Sequence, residues 1–339
     1  MMKDAKNIRF GKFKEEDRKP YLALFQEVFG HSWSKQYFHW KYKENPFNPD
    51  PMIYTAKDQE GRLIGARSML PTEVVCQNKT YKALQAGDAM IKEAFRGRGL
   101  YTELTAGAIE EAKKQGYDLI LNFPNANSFP ILIKKGWHPV GETSVHIKIL
   151  KPLAYPIKRL IMKTGGRTAP LPQRPGNYLG PLTEEAVHKE HEAFFREQLA
   201  GTHHQRRSLP YLQWKYSQNP EEYYPMLCFR AGGILKGIAV LKLHGTGKLA
   251  IGEILEWAAA KELEKPFLTE VLRYAKANRL DLLKIWNLKG SGRDLRAFKR
   301  KGFMEKKQGN FLIRVLSPGL EELKSPSGWH ILRGDTDVI

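Results

Sequence analysis

The sequence predicts an α/β (α+β) fold in which one unit, a mixed sheet flanked by helices, occurs twice in tandem. The first observation behind this is an internal repeat: Ser34-Lys-Gln-Tyr37-Phe-His-Trp40-Lys41-Tyr42-Lys-Glu-Asn45-Pro46 returns as Ser208-Leu-Pro-Tyr211-Leu-Gln-Trp214-Lys215-Tyr216-Ser-Gln-Asn219-Pro220. Order is kept downstream, with Met52 matching Met226, Gly65 matching Gly237, Asp118 matching Asp281 and Gly136-Trp137 matching Gly302-Phe303. The offset falls from 172 at the Gly65 pair to 163 at the Asp118 pair, so the second copy is nine residues shorter between them. Such long-period similarity marks duplication of one folding unit. The second observation is the order of periodic segments, strands first and then strand, helix, strand, which places helices against a mixed sheet.

Within the first copy a short strand is expected near Ile8 to Phe13, then amphipathic helices over Lys14 to Phe29 and Ser34 to Lys43. Strands follow near Met52 to Lys57, Leu63 to Val75 and Ala83 to Lys92, separated by the turn signals Gln59-Glu60-Gly61 and Gln77-Asn78-Lys79. A helix from Leu100 to Gln115 carries Leu100, Leu104, Ala108 and Ala112 on one stripe and stops at Gly116. The apolar run Asp118 to Phe123 reads as a buried strand, followed by a helix over Ser128 to Lys135 and strands to about Leu150. Residues 151–180, with Gly165-Gly166 and five prolines between Pro152 and Pro175, read as a linker, which sets the domains at 1–150 and 181–339.

Composition narrows the class. With 42% hydrophobic and 27% charged residues the 339-residue chain is globular, and it has no apolar run of the ~18 residues that a membrane span needs. The polar start, Met1 to Phe10, does not read as a signal peptide. Cys76 and Cys228 stand far apart with no metal-ligand spacing, so neither a disulfide framework nor a metal site is expected and a cytoplasmic location fits. The net charge of +19 attracts anions, though its scatter along the chain suits a solvated basic surface.

Arg96-Gly97-Arg98-Gly99 lies between a strand and the start of a helix. A turn there offers backbone N–H groups and a helix dipole to phosphate, with glycine allowing close approach. It lacks the Lys-Ser/Thr of a Walker loop and the third glycine of a dinucleotide fingerprint. Together with Ala89-Met90-Ile91 before it, and Asp118 to Phe123, Asn125-Ala-Asn-Ser128 and Gly136-Trp137 after it, the segment resembles the coenzyme A signature of the GNAT N-acetyltransferases.

That resemblance implies two tandem GNAT-like domains, each with a mostly antiparallel sheet. It also implies an acetyl-CoA-dependent N-acetyltransferase in which a primary amine attacks the thioester directly, within a ternary complex. It places Met90, Ile91, Arg96, Gly97, Arg98, Gly99, Leu100, Tyr101, Asn125 and Ser128 at the cofactor, with backbone of Met90 and Ile91 on the pantetheine and thioester carbonyl. Two positions depart from the family pattern: Ala94 stands where the loop usually opens with Gln or Arg, and Leu132 where many members carry a tyrosine general acid. Tyr101 is then the candidate acid. Asp88 is the candidate base, the alternative being a carboxylate that only holds a bulge.

The second copy has Leu255-Glu-Trp-Ala-Ala-Ala-Lys-Glu-Leu-Glu-Lys-Pro266 in place of the loop, with Glu262 and Glu264 facing any phosphate, and is expected to shape the acceptor cleft or to act structurally. The paired Trp-Lys-Tyr segments are expected to pack helices. His203-His204 and Arg206-Arg207 read as a solvated loop, and the tail with Trp329, Asp335 and Asp337 offers carboxylates to a site, as in some two-domain relatives. The acceptor is expected to be a small amine, favoured by the charge if anionic. Nucleic acid enters only under an alternative, a Fem-like aminoacyl transferase using tRNA; a non-catalytic acyl-CoA-binding module is the other.

Overall fold

The computed structural model describes residues 8–48, 50–153, 168–170, 179–246 and 249–336. In the first repeat, β1 (Arg9–Lys12) precedes α1 (Arg18–Phe29) and α2 (Lys35–Lys43), followed by β2 (Met52–Lys57), β3 (Leu63–Cys76) and β4 (Lys79–Ile91). Helix α3 (Leu100–Lys114), β5 (Leu119–Asn122), α4 (Phe129–Lys134) and β6 (His138–Ile149) complete it. Most of the expected linker falls outside the described residues, apart from β7 (Thr168–Pro170).

The second repeat has β8 (Leu182–Glu184), α5 (Lys189–Gln198), β9 (His204–Gln205), α6 (Leu209–Leu212), β10 (Met226–Ala231), β11 (Ile234–Thr246) and β12 (Leu249–Ala259). Helix α7 (Glu264–Ala277), β13 (Leu282–Leu288), α8 (Arg296–Arg300) and β14 (Met304–Val315) follow.

Local chemistry explains the ends of these elements. The Ser34 hydroxyl accepts the Tyr37 N–H at the start of α2, and Gly30, at φ 73°, closes α1 in the left-handed region. The repeat extends to matching side-chain bonds: Asp118 accepts the N–H of Lys82 at 2.9 Å, and Asp281 that of Ala250 at 2.8 Å.

The strands join in one sheet, ordered β1-β2-β3-β4-β5-β14-β6-β13-β12-β11-β10-β8. The strand beside β5 is therefore not β6 but β14, running antiparallel from Val315 opposite Leu119 to Leu312 opposite Asn122. Strand β6 lies instead beside β13, from Ile149 opposite Leu282 to Thr143 opposite Leu288. Each repeat thus lends its last strand to the other, and neither 1–150 nor 181–339 closes its own sheet.

A second contact near the pseudo-twofold joins the repeats. Trp40 Nε1 donates to the Trp214 carbonyl at 2.7 Å, Trp214 Nε1 donates to the Trp40 carbonyl at 2.8 Å, and the rings stack with centroids 5.1 Å apart. The packing role expected of these tryptophans holds. Their neighbours Lys41 and Lys215 are buried as well.

Helices α1 and α2 cover one face of the first repeat's sheet, burying Tyr21, Phe38 and Tyr42 against Ala66, Leu70 and Met90. Helix α3 covers the other, with Ala108 and Ala112 against Met69 and Leu84. It approaches so closely that a Cβ on Gly107 would lie 2.1 Å from Cε1 of Tyr54. Gly107→Ala should therefore destabilise by about 1–3 kcal/mol through overpacking, despite alanine's better helix propensity. Urea unfolding would reveal it, and a Tyr54→Ala background should remove most of the penalty.

The segment expected as a solvated loop at 203–207 is a correction. His204 and Gln205 form β9, paired with Val75 and Val74 of β3, and both His204 and Arg207 are buried. A strand partner supplied from 130 residues away hides a polar segment that no local pattern marks as buried.

Candidate active site

The end of β4 leads through one 3₁₀ turn, Glu93–Phe95, into Arg96-Gly97-Arg98-Gly99 and then α3. Gly97 and Gly99 have φ of 74° and 84°, and a Cβ at either would meet nothing within 4 Å. Conformation, not crowding, calls for glycine there. Gly99 is the N-cap of α3 and no side chain caps it, so the first turn presents its N–H groups on an open surface. Arg96 and Arg98 are exposed beside it; Arg96 Nε donates to the Ile91 carbonyl at 3.3 Å, and Arg98 lies over the Phe95 ring. Leu100 turns its side chain into the core with Ile64 and Leu104.

A wedge opens beside this loop. Strands β4 and β5 run parallel but pair only through Ala83–Gln85 with Leu119–Leu121. From Ala86 to Ile91 the edge of β4 that faced β5 has no strand partner among the described residues, and this stretch holds Met90 and Ile91. On its other edge β4 stays paired with β3, with a bulge at Gly87-Asp88 where β3 supplies only Ser68.

The second repeat shows the same architecture without the opening. Strand registers align Ile91 with Ala259, an offset of 168, and the 3₁₀ turn Lys261–Leu263 matches Glu93–Phe95 at the same offset. Helix α7 then begins at once with Glu264, so the four loop residues are missing outright. The other losses lie in the β11–β12 hairpin and near the end of α7. Glu264 accepts from Trp257 Nε1 at 3.4 Å, and burial pushes its carboxyl up from the usual range. Strands β12 and β13 pair only from Ile251–Ile254 to Leu282–Ile285, but the chain's own tail fills this wedge. A Cβ on Gly334 would lie 2.6 Å from the Leu255 carbonyl, and Arg333 sits over the Trp286 ring at 4.9 Å.

Residues 9–140 match the family model of the acetyltransferase (GNAT) domain. The match lies within the first repeat and covers less than half of the chain. The fold is likewise that of solved GNAT-type structures. A conserved protein of unknown function from Enterococcus faecalis, described as a probable N-acyltransferase, aligns with a TM-score of 0.67 at 14% identity over 91% of this chain and 72% of that one. A GCN5-related N-acetyltransferase from Anabaena variabilis gives 0.65 at 11% identity over 91% and 73% of the two chains. The N-myristoyltransferase of Saccharomyces cerevisiae, solved with myristoyl-CoA, gives 0.62 at 12% identity over 96% and 90%. No curated protein matches by sequence.

The remaining residues expected at the GNAT site occupy distinct places. Asp88 sits at the bulge on the face covered by α1 and α2, where its Oδ2 lies 3.3 Å from Lys41 Nζ and accepts from the Tyr42 hydroxyl at 3.4 Å. Its counterpart by register is Glu256, which accepts from Tyr216 at 2.6 Å and pairs with Arg207 at 2.9 Å. A carboxylate held by a cation and a tyrosine therefore belongs to both repeats, with and without the glycine loop. Tyr101 lies in the first turn of α3, half-buried. Leu132 is buried in the α3-side core near Trp137. The Asn125 carboxamide oxygen accepts the N–H groups of Asn127 and Ser128, each at 3.0 Å, shaping the turn before α4.

Of the tail residues, Trp329 is buried against Phe311, and Asp335 meets Arg207 at 2.7 Å; Asp337 lies outside the described residues. The two cysteines are free and buried. Glu185, His191 and Cys228 converge within 4.8 Å, a cluster invisible in the sequence because three separate elements supply it. Arg230 grips Glu185 with Nε and a terminal nitrogen at 2.9 and 3.0 Å and holds its carboxyl down to about 2, while burial pushes the Cys228 thiol up.

Sequence reasoning missed Arg67. It stands on β3 opposite Ala89, is 4% exposed, and donates from one terminal nitrogen to the Gly87 carbonyl at 2.7 Å. Its guanidinium lies 5.9 Å from the Tyr101 ring centroid. The only signal was a lone arginine inside an apolar strand at a position where the second repeat has Ala239.

Proposed function

We propose that this protein is an N-acyltransferase that moves the acyl group of an acyl-coenzyme A, acetyl-CoA being the simplest donor, to a primary amine. The observation that carries this reading is the uncapped, left-handed glycine loop at the start of α3, beside an unpaired edge of β4. The loop N–H groups and the α3 dipole suit the pyrophosphate, with Arg96 and Arg98 adding charge. The open edge at Met90 and Ile91 suits pantetheine amides and gives a backbone donor for the thioester oxygen.

In the reaction the neutral amine attacks the thioester carbon, a C–N bond forms, negative charge gathers on the oxygen, and the C–S bond breaks as coenzyme A leaves. The proton lost by nitrogen passes to Asp88, directly or through water, and the departing thiolate takes a proton from Tyr101 or solvent. Lys41 and Tyr42 orient Asp88. The second repeat, its wedge filled by residues 333–335, serves as scaffold and acceptor-side wall.

Calorimetry with acetyl-CoA tests this on the wild type and on a Gly97→Glu/Gly99→Glu double variant. Micromolar binding is expected for the wild type, with at least a hundredfold loss in the variant at unchanged circular dichroism. Side chains have room at both positions, so the variant should fold; its loss comes from backbone strain and from carboxylates set against phosphate. A wild type that ignores acetyl-CoA and binds tRNA in a salt-dependent manner would favour aminoacyl transfer instead.

A further inference from the structure

Arg67 is a buried cation whose binding edge meets nothing. Its Nε and second terminal nitrogen have no hydrogen-bond partner, and no carboxylate lies within ion-pair distance of it among the described residues. These two nitrogens form the side of the guanidinium that grips carboxylates in a fork. The same chain uses that side elsewhere, for Arg230 binds Glu185 through Nε and its second terminal nitrogen. The comparably buried cations Lys41 and Arg207 both meet carboxylates. An arginine buried with its fork empty is costly unless a ligand completes it. The second repeat, which has no phosphate loop, carries Ala239 at the equivalent position, packed in an apolar core.

The position says which end of the reaction it faces. Gly65, Arg67 and Ile91 lie on the side of the sheet covered by α3, shown by the 3.0 Å approach of Leu104 to a Cβ on Gly65 and by Ile91 packing with Leu100 and Leu104. Asp88, the proposed proton acceptor, lies on the opposite side. An amine approaching Asp88 would have to send a carboxylate through the sheet to reach Arg67. A donor laid along the open edge of β4 meets the backbone groups of Ala89 and Ile91, which alternation turns away from β3, and Ala89 is the position that Arg67 faces. A short acyl chain extending from there would carry a terminal carboxylate toward the guanidinium, which already reaches the Gly87 carbonyl of the same strand.

We propose that Arg67 receives a carboxylate at the far end of the transferred acyl group, so that the preferred donor is the coenzyme A ester of a short dicarboxylic acid and not acetyl-CoA. This rests on the acyl-coenzyme A reading of the site and names its donor class.

The test titrates acetyl-CoA and succinyl-CoA separately into the wild type, Arg67→Met and Arg67→Gln. Succinyl-CoA should bind the wild type about tenfold or more tightly than acetyl-CoA, the size of one charge-assisted contact. In either variant the ratio should fall to within about twofold, and because both esters share the loop and the β4 edge, losing the bond to the Gly87 carbonyl changes both affinities alike and leaves the ratio to report the carboxylate. Equal affinities in the wild type overturn the proposal whatever the variants do, as does a preference that survives in a folded variant. Should neither ester bind the wild type, the coenzyme A reading itself falls, a result distinct from equal binding.

Discussion

Replacing Arg207 by methionine is expected to cost about 3–5 kcal/mol of folding stability at neutral pH. Its guanidinium lies 2.9 Å from Glu256 and 2.7 Å from Asp335, and all three side chains are at most 1% exposed. Methionine fills similar space but removes the guanidinium that lies against both carboxylates. The effect should depend on pH with a definite sign. Burial pushes the Asp335 carboxyl up from the usual carboxylate range to about 6, with Arg207 opposing the rise and Glu256 adding to it. A folded-state value above the unfolded one means that this group's contribution is complete below about 4 and is lost as pH rises through 6. Without Arg207 the opposing pull disappears and the loss extends to higher pH. The gap between wild type and variant, read by urea unfolding, should therefore widen from pH 5 to pH 8. A constant gap, or one under about 1 kcal/mol, would mean that water or rearrangement replaces the arginine.

Trp214→Ala should cost a similar amount, about 3–5 kcal/mol, because it empties a large volume at the contact between repeats. It removes the stacked ring and the 2.8 Å bond to the Trp40 carbonyl, while Trp40 keeps its own bond to the main chain of residue 214. Trp40→Ala should behave as its mirror image. The double variant should cost less than the two singles together, by about 0.5–3 kcal/mol, since each single change strands half of a reciprocal pair. Strict additivity in a chemical-denaturation cycle would show that each tryptophan packs mainly within its own repeat.

These two clusters mark where the sequence is informative and where it falls silent. The repeat was legible almost residue by residue around Trp40 and Trp214, since helix packing imposes residue types at fixed spacing. The loop was legible because a left-handed turn before a helix demands glycine, and Gly97 and Gly99 have the φ values that demand implies. The exchange of β6 and β14 was not, because an apolar strand carries the same pattern whichever neighbour it pairs with. Arg207 was read as solvated because its partners lie 49 and 128 positions away, beyond any local window. Arg67 went unnoticed because a single charge in a strand resembles an exposed alternation. Asp88 was read as a candidate base with a structural bulge as the alternative; it sits at a bulge, and only the register of β12 revealed that Glu256 repeats it.

The strand exchange also sets an order of events during synthesis. A chain leaving the ribosome has made the glycine loop and β5 by residue 122, but the strand that seals β5 ends only at Val315. At about 5–20 residues per second that interval is roughly 10–40 seconds, during which one edge of the nascent domain stays bare. The glycine loop and the open edge of β4 are thus translated well before the strand that walls in β5. Synthesis that stopped before Met304 would release a chain holding every residue of the glycine loop, with the edge of β5 unsealed.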